Sequence, residues 1–212
     1  MPIYSIDTSK GRIAILSVHI PKTGGTSISD YFSAAGFTQH FGNEHKAIRP
    51  LMVCPPQHYH YDIIQHLFHL PLCHYSFAIV RHPLKRIISD YYWAMNKSTL
   101  LNKSMTINEW IPFAFDEYSK NNFFLANHIR PQHEFVGPHI KRIFKYEYGL
   151  DNVMNQVFSD CRINTNKNIE VPKINLTQYP QKIDLNSSTI DLVKEFYKQD
   201  FKLFDYDMNL DL

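Results

Sequence analysis

The sequence predicts an α/β fold in which a short, mostly parallel sheet is covered by helices on both faces, because three apolar strand-like runs are each followed by a helical pattern. Ile13 to Ile20 is almost continuously apolar, as in a strand buried on both faces, and Ile28, Tyr31, Phe32 and Ala35 then recur at helical spacing. Phe77 to Val80 is the second run, and Leu84, Ile87, Ile88, Tyr91, Tyr92 and Met95 form one apolar stripe behind it. Lys141 to Tyr146 reads as a third strand, with a helix beginning near Asp151. Gly36 to Pro56, rich in His, Pro and polar residues, reads as loop with short helical pieces. Thr106-Ile107-Asn108-Glu109 has the capping-box pattern and starts a helix through Phe115. Tyr118 to Gly137 is a long polar connection, and Ile190, Val193, Tyr197, Phe201 and Phe204 make a final amphipathic helix.

At 212 residues the expected count is one domain, 1–212. Lys and Arg (22) exceed Asp and Glu (20) by two, so no global basic field makes nucleic acid the default partner, and any anion site must be built from local charge. Cys54, Cys73 and Cys161 are odd in number and lack Cys-x2-Cys spacing, which fits reduced thiols in a cytoplasmic protein. No charged-then-apolar leader opens the sequence and no apolar run reaches membrane-spanning length, so no integral membrane segment is expected. Among the aromatics, Phe123-Phe124 and Tyr59/Tyr61 are candidates for sugar-stacking surfaces.

Pro21-Lys22-Thr23-Gly24-Gly25-Thr26-Ser27 joins the first strand to the first helix. Glycines let backbone N–H groups approach a ligand, and the helix N-terminus leaves several of them unpaired at the positive end of the dipole. Lys22, Thr23, Thr26 and Ser27 add side-chain donors, so the segment reads as an anion cradle. The nucleotide triphosphate P-loop, Gly-x4-Gly-Lys-Ser/Thr, places its lysine after the glycines, whereas here it comes first. The second strand leads into Arg81-His82-Pro83-Leu84-Lys85-Arg86-Ile87-Ile88-Ser89-Asp90-Tyr91-Tyr92, which sets Arg81 at the strand end and Ser89 one to two turns into the helix, where both can converge on one anion. Ligands of parallel sheets bind at the carboxyl ends of strands, so the two segments can share one crevice.

The first segment resembles the 5′-phosphosulfate-binding loop of sulfotransferases that use 3′-phosphoadenosine 5′-phosphosulfate (PAPS), and Arg-x-Pro-x2-Arg-x2-Ser-x-Tyr resembles their 3′-phosphate-binding segment. Arg130 to Gly137, Arg142 to Glu147 and Glu195 to Tyr206 also resemble bacterial members of sulfotransferase family 2, a group that includes heparan sulfate 2-O-sulfotransferase. The likeness is collinear from about Ile13 to Tyr206. It implies a P-loop-like three-layer α/β sandwich with a short, mostly parallel sheet. It also implies a soluble enzyme that moves a sulfuryl group from PAPS to a hydroxyl of a carbohydrate-type acceptor, leaving 3′-phosphoadenosine 5′-phosphate (PAP), with no metal required. By the same resemblance, Lys22 lies near the bridging oxygen of the leaving phosphate, Thr23, Gly24, Gly25, Thr26 and Ser27 hold the phosphosulfate, and Arg81 and Ser89 hold the 3′-phosphate. Arg86 reads as a helix-surface or structural charge with an open chance of helping the ligand.

An alcohol acceptor must lose a proton as it attacks, so a base of near-neutral pKa is expected. Among twelve histidines, His58 and His60 match a His-x-His pair placed similarly before the Arg-x-Pro segment of heparan sulfate 2-O-sulfotransferase, and either could be the base; Glu44 and His45 are a second candidate pair. A metal reading of His-x-His with His66, His69 and His74 lacks a carboxylate or cysteine at a familiar spacing. Val171 to Thr177 resembles the family's late Asn-containing loop, but the basic Gly-rich segment that closes over the nucleotide in other sulfotransferases is absent. A kinase-like phosphotransferase and a nucleotide-binding module without turnover are the alternatives, the first disfavoured by the inverted lysine and by the lack of an acidic strand end for magnesium.

Overall fold

A computed structural model describes residues 2–9, 11–42, 51–97, 104–163, 169–172 and 183–209. Among these, five strands form one sheet: β1 (Ile3–Thr8), β2 (Gly11–Val18), β3 (Thr38–His40), β4 (Tyr75–Val80) and β5 (Arg142–Lys145), in the order β3-β1-β2-β4-β5. The helices are α1 (Gly25–Ala34), α2 (Tyr61–Leu67), α3 (Pro83–Lys97), α4 (Ile107–Lys120), α5 (Leu150–Asp160), α6 (Ser187–Phe196) and α7 (Lys198–Leu203).

The sheet is mixed rather than mostly parallel. β2 with β4 and β4 with β5 are parallel, joined by the crossovers the sequence predicts, and every residue of β4, which lies between the other two, is buried. The other half is antiparallel: β1 pairs with β2 from Ile3↔Leu16 to Thr8↔Gly11, and β3 adds to the outer edge of β1. So short a connection between β1 and β2 can only make a hairpin, since a parallel pair needs a long crossover. Both antiparallel additions escaped the sequence reading because they are weakly apolar. Only Tyr4 of β1 is fully buried, and all of β3 is exposed within a stretch read as loop and helical pieces.

Both faces of the sheet are covered. Ile15, Phe77 and Ile79 pack under α1 and α5 with Ile28, Phe32, Met154 and Phe158, while Leu16, Val18, Ala78 and Val80 pack with Tyr61, Ile64, Phe135 and Phe204 on the other side. Alternate residues of β2 and β4 therefore go to opposite cores, which accounts for their continuous apolarity. A third apolar cluster joins α3, α4, α6 and α7 around Trp110, Ile87 and Tyr197. Thr106 caps α4 as expected, its amide donating to Glu109 at 2.8 Å, but the helix continues past Phe115 to Lys120. The final apolar pattern spans two helices, α6 and α7, that break at Tyr197. No disulfide joins Cys54, Cys73 and Cys161.

Candidate active site

β2 ends at Val18 and the chain turns through Pro21 to Gly24 into α1. The Thr23 hydroxyl donates to the Ile20 carbonyl at 2.8 Å and ties the turn to the strand end. Lys22 and Gly24 both have left-handed backbones, φ 68° and 88°. A side chain there costs about 1–3 kcal/mol, and such outliers concentrate at functional sites. Gly24 is required on two counts, since a Cβ would also lie 2.7 Å from Leu150. At Gly25 a Cβ would fall 2.2 Å from the His19 ring, so this glycine makes room for an imidazole. No side chain caps α1 and no acidic residue stands in its first turn, which leaves its first amides for an anion. Ser27 and Thr23 are buried, Lys22 and Gly25 half-buried, and Thr26 exposed.

Arg81 follows the last residue of the adjacent parallel strand β4, and the fold brings it to the loop: its Nη1 donates to the Lys22 carbonyl at 3.2 Å. Its guanidinium lies 4.7 Å from the Tyr146 ring centroid, and its Nε is buried without a hydrogen-bond partner among the described residues. Gln132 fixes the Arg81 backbone from both sides, accepting from its amide at 2.9 Å and donating to its carbonyl at 2.8 Å. Ser89 is buried on α3, and no hydrogen bond joins it to Arg81 or to the loop among the described residues. Arg86 is fully buried, not at the helix surface. Its Nη1 and Nη2 donate to the carbonyls of His128 (3.0 Å) and Arg130 (2.8 Å), pinning the 122–135 segment against α3.

His58 and His60 lie on either side of Tyr59, His58 ending a 3-10 turn (Pro56–His58) and His60 immediately preceding α2. His58 Nδ1 is 3.0 Å from the Ala126 carbonyl; the carbonyl can only accept, so this nitrogen carries the proton. Its Nε2 faces the Gln57 amide at 3.1 Å. Burial, then the neighbouring imidazoles of His128 and His19, hold His58 well below the usual histidine range. His60 Nδ1 lies 3.3 Å from the Asn127 amide nitrogen, and burial followed by the Arg130 charge brings it down to about 4. Burial likewise lowers His19 to about 3. Glu44, His45 and Lys173 to Thr177 lie outside the described residues. Of the aromatic candidates, Phe123 stands 5.8 Å from His60, whereas Tyr61 is a core residue whose ring fills the space over Gly137.

Several residues that the sequence did not single out complete the site. His128 Nδ1 is 2.6 Å from the buried Asp90 carboxylate, and the His128 ring stacks on Trp93 with centroids 4.0 Å apart. Lys22 Nζ is 6.0 Å from the same Trp93 ring. His58 stands edge-on to His128 at 5.0 Å and to His19 at 5.1 Å, so a row of imidazoles runs from Gly25 to Trp93 beside the loop. Asn127 and Arg130, both buried, form the floor near His60: Arg130 Nε donates to Asn127 Oδ1 at 3.0 Å and its Nη1 pairs with Glu134. Asp90 directly follows Ser89 in the second motif, and His128 lies in the long connection; helical spacing of Arg86, Asp90 and Trp93 on one face of α3 was the available signal.

The sequence model of the sulfotransferase family matches residues 8–207, nearly the whole chain. This chain belongs to the sulfotransferase family. Neither the curated proteins nor the solved structures gave a match to it. Membership makes the protein a transferase, consistent with a loop and an arginine converging at the ends of β2 and β4. No helix among the described residues is long and apolar enough to cross a membrane.

Proposed function

We propose that this sulfotransferase takes PAPS as donor and a hydroxyl of a carbohydrate-type acceptor, and that its sheet and helices form a P-loop-like three-layer sandwich. The observation that carries the donor assignment is Arg81, whose Nη1 bonds to the Lys22 carbonyl while its buried Nε has no partner among the described residues. A buried guanidinium N–H without an acceptor is costly, and an anionic ligand would supply one. The uncapped start of α1 and the left-handed turn at Lys22 and Gly24 supply a second anion position one strand away. Two such positions fit a nucleotide with phosphates at both ends.

PAPS supplies the sulfuryl group, and the chain's residues orient and stabilise the exchange. Thr23, Gly24, Gly25, Thr26 and Ser27 hold the phosphosulfate, and Arg81 with Ser89 holds the 3′-phosphate. Lys22 offsets charge on the leaving phosphate oxygen, worth roughly 10²–10³ in rate for one such contact. An imidazole beside the loop takes the acceptor proton; His58 and His60 are the pair that the family resemblance puts forward. Phe123, next to His60, offers a ring on which a sugar can stack.

The test is transfer from ³⁵S-labelled PAPS to a panel of heparosan, chondroitin, dextran and simple phenols, without added metal. Label in a polysaccharide supports the full reading. Label in phenols alone would remove the carbohydrate assignment, and no label in any acceptor would remove PAPS-dependent transfer to this class.

A further inference from the structure

We infer that the acceptor proton goes to His128, positioned by Asp90, and that His58 and His60 are held as neutral donors and spacers around it; this rests on the sulfotransferase reading above. A base needs a lone pair directed at the acceptor and a partner for the charge it gains. His60 fails the first condition. Arg130 Nε donates to Asn127 Oδ1, which fixes that amide so that its nitrogen points at the His58 carbonyl (2.9 Å) and at His60 Nδ1. The lone pair of His60 is therefore on Nδ1 and already occupied, while Nε2 carries the hydrogen and can only donate.

His58 fails the second condition. Its Nδ1–H is bound to the Ala126 carbonyl and its Nε2 to Gln57, and no carboxylate contacts the ring among the described residues. A proton gained there would sit between the imidazoles of His19 and His128.

His128 meets both. The Asp90 carboxylate accepts from Nδ1–H at 2.6 Å, which sets the tautomer with its lone pair on Nε2. Asp90 is 1% exposed, so its charge is available to the ring at short range with little screening by water. This is the division of labour between carboxylate and imidazole known from serine hydrolases, where the carboxylate orients the ring and stabilises the imidazolium. Trp93 stacks on the ring and lies under Lys22, so the base and the leaving-group lysine share one platform. Arg86 anchors the His128 carbonyl and fixes the ring's height above α3. In the step, the acceptor oxygen forms a bond to sulfur as the sulfur–oxygen bond to the phosphate breaks. That bond's electron pair goes to the phosphate oxygen, and the hydroxyl proton moves to His128 Nε2.

Among the described residues, Asp90 of α3 contacts the His128 ring and Arg86 its carbonyl, His58 stands edge-on to it, His19 lies beyond His58, and Lys22 sits over the Trp93 ring on which His128 stacks. The experiment compares His128→Gln, Asp90→Asn, His58→Gln and His60→Gln. It reads kcat against pH with PAPS and the best polysaccharide of the panel, and PAP affinity by calorimetry. His128→Gln should lose about 10²–10⁴ in kcat together with the acid limb of the profile, with PAP affinity kept within about threefold. Asp90→Asn should lose about 10²-fold or more, because it removes both the tautomer control and the charge. His60→Gln should raise the acceptor KM and leave the acid limb in place. In protein carrying ¹⁵N-histidine, the His128 Nδ1 proton should appear as a strongly deshielded signal that Asp90→Asn abolishes; this readout needs no turnover. A His128→Gln enzyme that keeps wild-type kcat and the acid limb, or a missing Nδ1 proton signal, overturns the assignment even if the wild type transfers sulfate. A wild type that neither binds PAP nor transfers label overturns the donor reading and this inference with it.

Discussion

Lys22 pays for its place with a left-handed backbone that glycine would adopt more easily, and in return its carbonyl meets Arg81 while its ammonium reaches Trp93. Lys22→Ala should therefore fold normally and lose about 10²–10³ in transfer rate, read as kcat at saturating donor. A folded variant with near wild-type kcat would take the leaving-group role away from Lys22. Gly25→Ala acts differently, since its methyl would occupy the space of the His19 ring at 2.2 Å. The expected cost is about 1–3 kcal/mol, measured by denaturant unfolding, because an overpacked site must shift a packed neighbour. An unchanged midpoint would mean that His19 does not pack on the loop. The loop residues could be read in the sequence because they are contiguous and each type has a reason to be there. Asp90 and His128 are separated by 38 positions and look ordinary alone; only the packing of α3 against the 122–135 segment makes them a pair.

At the scale of elements, the 122–135 segment is more ordered than a polar connection would suggest. Asn127, His128, Ile129, Arg130, Gln132 and Phe135 are all buried, and the segment is tied to α3 by Arg86 and to α7 by Asp200. Asp200 is itself fully buried and accepts from the Gln132 amide at 2.7 Å and the His133 amide at 2.8 Å. It also bonds to His133 Nδ1, which holds that imidazole above its ordinary 6.5. A raised folded value means that the charged pair stabilises the fold fully below the unfolded histidine pKa and ceases to do so as pH rises through the folded one. The stability difference between wild type and His133→Gln should thus be larger at pH 6 than at pH 9, and a difference that grows with pH would contradict the pairing. The strands β2 and β4 and the starts of α1, α4 and α5 were legible because strong periodicity or a capping pair marked them. β1 and β3 were not, since strands of an antiparallel edge need no continuous apolar run.

Across the whole molecule, parallel pairing of β2 and β4 is what sets the Lys22 loop beside Arg81, and the antiparallel hairpin extends the sheet on the other side of β2, where Tyr4 of β1 bonds to Ser29 of α1 at 2.8 Å. With a formal net charge of only +2, the molecule has no global field to gather an anion, so selectivity must come from these few groups. The central claim is that they recognise a nucleotide by phosphates at both ends. Calorimetric titration with PAP and with AMP, at equal ionic strength and without metal, tests it most directly, because the two ligands differ only in the 3′-phosphate. PAP should bind about 10- to 100-fold tighter, as charge-assisted hydrogen bonds to Arg81 and Ser89 would give, and Arg81→Ala should erase most of that margin. Equal affinities for PAP and AMP, or a margin untouched by Arg81→Ala, would contradict the account.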